Sequence, residues 1–210
     1  GQGWRAAVGR PVVVFASSRE GEEAMLLQVL KENRALALVE YTQCATKNIA
    51  NSIQWLIVPR HPQRFDAVAQ LCQEQGFTVS RRSDWTDVPA AADIWLGDSL
   101  GEMALYFGLA DVALLGGSFA PLGGQNLIEA AACGCPVVMG PHTFNFAQAA
   151  ELAEEAGAAF TRDDMAQAVE TALSLVQSES DLAKAQANAL ALGQAHRGAA
   201  QRTALAVQQL

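Results

Sequence analysis

The strongest pattern in the chain is a short unbroken apolar run, then a polar turn, then apolar positions at helical spacing. Residues 11–16 (PVVVFA) make the first such run, β-branched and aromatic, without the alternation of a half-exposed strand. This predicts a strand covered on both faces, as in a parallel sheet. Ser17-Ser18-Arg19-Glu20-Gly21-Glu22-Glu23 follows, offering capping hydroxyls and first-turn carboxylates ahead of Ala24, Leu27 and Leu30.

The unit recurs. Strands are predicted over residues 54–58, 93–96, 111–115, 136–139 and 158–161, and helices over 63–75, 99–107, 124–133, 146–156 and 163–177. Strands alternating with helices imply right-handed βαβ crossovers, so the fold class is α/β, a Rossmann-like doubly wound parallel sheet. In such sheets ligands bind at the carboxyl ends of the strands, and the notable motifs fall at those ends.

Residues 11–180 are read as this domain. Residues 1–10, opening Gly1-Gln2-Gly3, read as a tag remnant or interdomain linker, and residues 47–52 as an exposed connection. Residues 181–210 read as a C-terminal helix rich in Ala and Gln, its apolar face too narrow for a core element and suited to docking on something outside the chain.

Composition changes this picture only by exclusion. With 210 residues, half of them apolar, the chain can bury a full-sized core as one domain. Its net charge of −8 and fourteen scattered basic residues argue against a broad nucleic-acid surface, while leaving room for a local nucleotide site. Cys44, Cys72, Cys133 and Cys135 lack nearby His at metal-site spacing and read as buried reduced thiols. No apolar run reaches the roughly 18 residues needed to span a bilayer, and no signal-peptide order opens the chain. The fragment is therefore expected to be soluble.

The densest chemical signal is Gly116-Gly117-Ser118 and then Gly123-Gly124-Gln125-Asn126-Leu127-Ile128-Glu129, between a strand and a helix. Such glycines permit close backbone approach to a phosphate or sugar, and Asn126 and Glu129 sit three apart where a carboxylate can bind ribose hydroxyls. The competing explanation is a plain turn with Glu129 complementing the helix dipole. In Gly97-Asp98-Ser99-Leu100-Gly101-Glu102, capping accounts for Asp98, Ser99 and Glu102, whereas Gly101 inside a first turn suggests a base or ribose packed against it.

Pro59-Arg60-His61-Pro62 holds Arg60 on a stiff turn, where a guanidinium can pair with phosphate. At the next strand end, Pro141-His142-Thr143-Phe144-Asn145-Phe146 brings His142 to the same rim; core packing is the better reading for Phe144 and Phe146. Ser17, Ser18 and Arg19 offer hydroxyls and charge at the first strand end. There is no P-loop, no dinucleotide G-x-G-x-x-G after the first strand and no G-x-S-x-G elbow.

In order, the segments SSREGEE, PRHPQRF, GDSLGEM, GGS, GGQNLIEAAACGCPVVMG and PHTFNF resemble the C-terminal half of bacterial 3-deoxy-D-manno-octulosonic acid (Kdo) transferases over roughly residues 11–180. The resemblance implies a GT-B glycosyltransferase, with two Rossmann-like domains facing across a cleft. This half would bind the donor CMP-Kdo. The absent N-terminal half would hold the lipid A precursor and supply the carboxylate base of an inverting transfer, leaving no catalytic residue in this chain and the fragment inactive alone.

The donor contacts so implied are Pro59, Arg60, His61, Leu100, Gly101, Glu102, Asn126, Leu127, Ile128 and Glu129, together with the turn glycines Gly123 and Gly124. Ser17, Ser18, Arg19, Gln125 and His142 are further candidates for donor or cleft contact. Arg19 and Gln125 stand where the family often has His, and Leu127 where it often has Pro. The resemblance implies no obligatory metal and no cofactor besides the donor substrate. It places the full-length enzyme at the cytoplasmic face of the bacterial inner membrane, making lipopolysaccharide, with membrane contact only through the missing half. Competing readings are the donor domain of another nucleotide-sugar GT-B enzyme, a stand-alone nucleotide-sugar-binding module or epimerase-like enzyme, and a structural interaction protein.

Overall fold

The computed structural model describes residues 2–41, 53–86 and 89–207; Cys44 and the connection at 47–52 lie outside them. Seven strands form one sheet: β1 (Val12–Ser18), β2 (Gln54–Pro59), β3 (Val79–Arg81), β4 (Ile94–Leu96), β5 (Val112–Leu115), β6 (Val137–Met139) and β7 (Ala159–Thr161). Their order is β3-β4-β2-β1-β5-β6-β7, with every pairing parallel. β1 is central, Phe15 lying opposite Ile57 on one side and Leu114 on the other.

The unbroken apolar run of β1 is explained by a core on each face. Val13 and Phe15 pack with Leu26 and Leu27 of α2 (Glu22–Tyr41), Val68 and Cys72 of α3 (Phe65–Glu74), and Ala168 and Val169 of α7 (Met165–Gln177). Val12, Val14 and Ala16 pack with Tyr106 and Leu109 of α4 (Met103–Leu109), Ala130 of α5 (Ile128–Ala132) and Ala153 of α6 (Ala147–Glu155). Asp164 caps α7, its carboxylate accepting from the Gln167 amide at 2.8 Å.

The structure departs from the sequence reading in several places. β3 was not anticipated; it is a three-residue edge strand with a serine at its centre, too short and polar to register as a run. α4 begins at Met103 and α5 at Ile128, both four residues later than expected, because Gly101, Gly123 and Gly124 hold left-handed backbone just before them.

α8 (Glu179–Val207) packs within the chain as well, against α5 and α7. It packs on α5 through small side chains: Ala185 and Ala189 are buried, and a Cβ on Gly193 would sit 2.6 Å from Ala132 Cα. A search for a wide stripe of large apolar residues misses a helix that docks by backbone proximity. At the other terminus, Gln2–Val8 form helix α1, whose Trp4 meets Trp85 edge to face and whose Arg5 pairs with Asp111. Among the described residues no helix is long and apolar enough to cross a membrane.

Cys72 and Cys135 are free, buried thiols. Burial pushes Cys72 up to about 12 and raises Cys135 as well. Cys133 is only half-buried, a correction to the expectation that all are enclosed.

Candidate functional site

The chain leaves β1 toward β2 on one side of the sheet and reaches β5 on the other, so the carboxyl ends of β1 and β5 flank the point where crossovers change direction. The two backbones crowd together there. β1 bulges between Ala16 and Ser18, Ser17 sits in left-handed space at φ 55, and a Cβ on Gly116 would lie 2.3 Å from the Ser17 carbonyl oxygen. Gly116 is thus required by a neighbouring strand, not by a ligand.

Glu22 organises the crossing. Wholly buried, its carboxylate accepts from the amides of Arg19 (2.9 Å), Gly117 (2.8 Å), Phe119 (3.1 Å) and Ala120 (3.2 Å). The Gly116-Gly117-Ser118 turn is therefore no open anion cradle: the Gly117 amide already goes to the Glu22 carboxylate, and the Gly116 amide to the Ala16 carbonyl at 2.8 Å. Glu23, also buried, accepts both arms of Arg64 at 2.7 and 2.9 Å and the Ser18 hydroxyl at 2.7 Å. Its hydrogen bond raises the Arg64 pKa. Ser18 accordingly braces this pair and does not face a cleft, while Arg19 is half-buried. These roles of Glu22, Glu23 and Arg64 were missed; read as helix-dipole carboxylates, the two acids gave no hint of burial.

Pro59 is buried at the end of β2, and the Arg60 amide donates to the Ser18 carbonyl at 3.0 Å, fixing this turn beside β1. Arg60 itself is exposed, and among the described residues its guanidinium has no carboxylate partner. His61 is half-buried in extended backbone, and its imidazole does not cap the turn that follows.

After β4, Asp98 is not a helix cap. It accepts from the Ser83 amide and hydroxyl, each at 2.8 Å, and from Arg81 Nε at 2.7 Å, tying the β3 turn to the β4 turn. Burial works to raise its pKa, but the Ser83 hydrogen bonds and the Arg81 charge prevail and hold it below the usual carboxylate range. Gly101 takes φ 76 with open space around its α-carbon, so left-handed backbone explains it without a packed base. Glu102 receives the Ser99 hydroxyl and, at 2.9 Å, Arg82; Leu100 projects with 72% of its surface exposed.

The β5 and β6 turns interlock. The Gly124 amide donates to the Gly117 carbonyl at 2.7 Å, the His142 amide to the Ser118 carbonyl at 3.0 Å, and the Asn145 amide to the Gly123 carbonyl at 3.1 Å. A Cβ on Gly123 would strike the Asn145 side chain at 2.1 Å. Leu127 is buried in the core, which leaves only its backbone for a ligand, and Ile128, Gln125 and His142 are half-buried. Asn126 and Glu129 are exposed on the rim, the Asn126 side-chain oxygen accepting from the Ile128 amide at 3.0 Å. Phe144 is 64% exposed, contrary to the expectation of core packing, because it lies across Gly123 on the outer side of the loop; Phe146 is half-buried.

The candidates thus separate into a buried scaffold and a rim. Arg60, Leu100, Glu102, Asn126 and Glu129 stand at the ends of β2, β4 and β5, on both sides of β1.

A doubly wound parallel sheet with its exposed polar rim at the switch point defines the C-terminal half of a GT-B glycosyltransferase. The same fold is found in Anabaena HepE in complex with UDP and glucose, 17% identical with a TM-score of 0.60, covering 100% of this chain and 52% of that one. More specifically, the chain is similar to the C-terminal CMP-Kdo binding domain of WaaA from Acinetobacter baumannii, 30% identical with a TM-score of 0.74, covering 91% of this chain and 92% of that domain. It is 45% identical over 204 residues to the 3-deoxy-D-manno-octulosonic acid transferase of Bordetella pertussis, and 36% identical over 197 residues to that of Haemophilus influenzae. The chain belongs to the Kdo transferase family. It spans 97% of itself but 45% of the Bordetella protein, and 92% but 42% of the Haemophilus one. No family model matches it.

Proposed function

We propose that this chain is the CMP-Kdo-binding domain of an inverting glycosyltransferase that transfers Kdo to a lipid A precursor in lipopolysaccharide biosynthesis. The observation that carries this reading is an exposed Arg60 guanidinium at the end of β2, without a carboxylate partner among the described residues, with the exposed or half-exposed carboxylates Glu102 and Glu129 after β4 and β5 on either side in the strand order. A guanidinium suits the bridging phosphate of a nucleotide sugar, and carboxylates suit ribose hydroxyls. The name of the Acinetobacter domain, a CMP-Kdo binding domain, supports the same ligand.

In this reading Arg60 stabilises the charge that develops on the departing CMP phosphate, worth most in a closed, water-poor cleft. The carboxylate base and the acceptor site belong to the N-terminal half of the full-length enzyme, which acts at the cytoplasmic face of the inner membrane. The isolated domain binds donor without transferring it, and Arg60 fills the charge-stabilising role without a metal. A titration of the isotope-labelled domain with CMP and with UMP tests this. Amide shifts near Arg60, Gly101 and Asn126 that favour CMP and persist in chelator are expected; equal response to UMP would assign the chain a different nucleotide-sugar donor.

A further inference from the structure

Arg82 lies outside every segment so far connected with a ligand, yet it grips one of the rim carboxylates. It opens the short 3-10 turn Arg82–Asp84 that follows β3. Asp98 pins that turn through Ser83 and Arg81, and Arg81 reaches on to Asp66 at 2.7 Å. From this base the Arg82 guanidinium passes over the rings of Trp4 (5.2 Å) and Trp85 (5.9 Å) and donates to Glu102 Oε1 at 2.9 Å. Trp85 leans on Trp95 of β4, so the aromatic cradle continues into the sheet.

The other Glu102 oxygen, Oε2, accepts the Ser99 hydroxyl, and Ser99 shares a hydrogen bond with buried Tyr106. Burial raises the Tyr106 pKa, which keeps its phenol a proton donor in this chain. The carboxylate is thus held at both oxygens from two directions, while its side chain remains 31% exposed. Each carboxylate oxygen has a second lone-pair direction still available. Arg82 Nε meanwhile is buried with no hydrogen-bond partner among the described residues. An ordinary surface ion pair leaves its guanidinium in water; this one accepts an unmet donor to keep a fixed direction.

We infer that Arg82 is a positioning residue for the nucleotide site: seated over the paired rings of Trp4 and Trp85, it fixes the Glu102 carboxylate so that the free lone pairs face the nucleoside. The inference rests on the proposed donor site and goes beyond it, since Arg82 touches no ligand and acts only through Glu102. Trp4 belongs to α1, so the segment leading into the domain forms part of the support.

The test is a double-mutant cycle on CMP affinity, measured by calorimetry on the whole chain with Arg82→Gln, Glu102→Gln and the combined variant. Each single change is expected to weaken CMP binding about tenfold, with the pair no weaker than Glu102→Gln alone. Arg82→Lys, which keeps the charge but loses the planar fork, is expected to lie between wild type and Arg82→Gln and guards against a variant that fails to fold. Wild-type affinity in both Arg82 variants, or losses that multiply in the double variant, would overturn the inference while leaving the donor site standing. No CMP binding by the wild-type chain would instead overturn the donor-site reading and this inference with it.

Discussion

Two regions at the same end of the sheet are built on opposite terms. Around Glu22 and Gly116 the polar groups turn inward: a buried carboxylate satisfies four amides, and bare α-carbons let one strand end pass against another. On the rim, Arg60 has no carboxylate partner among the described residues, and Leu100 and Phe144 project into solvent. The glycine-rich turn is the densest chemical signal in this sequence, and the acids after β1 read as helix-dipole carboxylates. In the structure they serve as scaffold, and the proposed donor contacts stand on the rim side chains around them.

The comparison is broken most severely at Glu22. Glu22→Ala orphans four buried or part-buried amides together, and a loss of at least about 3 kcal/mol is expected in urea unfolding. Gly116→Ala comes next, since the new methyl must displace the Ser17 carbonyl or the β1 bulge, costing about 2 kcal/mol or more by the same measurement. Both changes are expected to abolish CMP binding only by loosening the loops, so lowering the temperature should restore part of it.

The third test uses pH. The Asp98 pKa is depressed in the folded state, so its contribution is present above the unfolded carboxylate value near 4 and is lost as pH falls through the lower folded value. Urea midpoints should therefore fall between pH 5 and pH 3, and Asp98→Asn should be less stable at neutral pH with a flatter acid limb. An unchanged acid limb in Asp98→Asn would show that the Arg81–Ser83 turn is held by something else.

How much of this was legible depended on residue size and on partner distance. β1, β2 and β4 to β7 were legible because runs such as VVVF and WLIV have no solvent-facing alternation. The rim position of Arg60 was legible because Pro59 and Pro62 bracket it at a strand end. β3 was hidden by its serine and three-residue length; α8 was legible as a helix, but its packing face was hidden because it uses Ala185, Ala189 and Gly193 where a large apolar stripe was sought. Glu22 was hidden for another reason: three of its four amide partners lie 95 to 98 residues away in sequence, and no local pattern distinguishes a dipole-facing carboxylate from a buried one. Arg82 escaped likewise, since only the folded chain brings it to Trp4 and Glu102.

The smallest effect on stability is expected at Arg60 itself, and it goes with a large effect on binding. Arg60→Ala should stay within about 0.5 kcal/mol of the parent in urea unfolding, as for an exposed side chain. The measurement that bears most directly on the division between scaffold and rim is therefore a CMP titration of this stable variant beside the wild type, followed at the amides of residues 60, 101 and 126. The account predicts saturable shifts in the wild type and at least about tenfold weaker binding in Arg60→Ala. Equal affinity in the two proteins would contradict it and place the phosphate elsewhere.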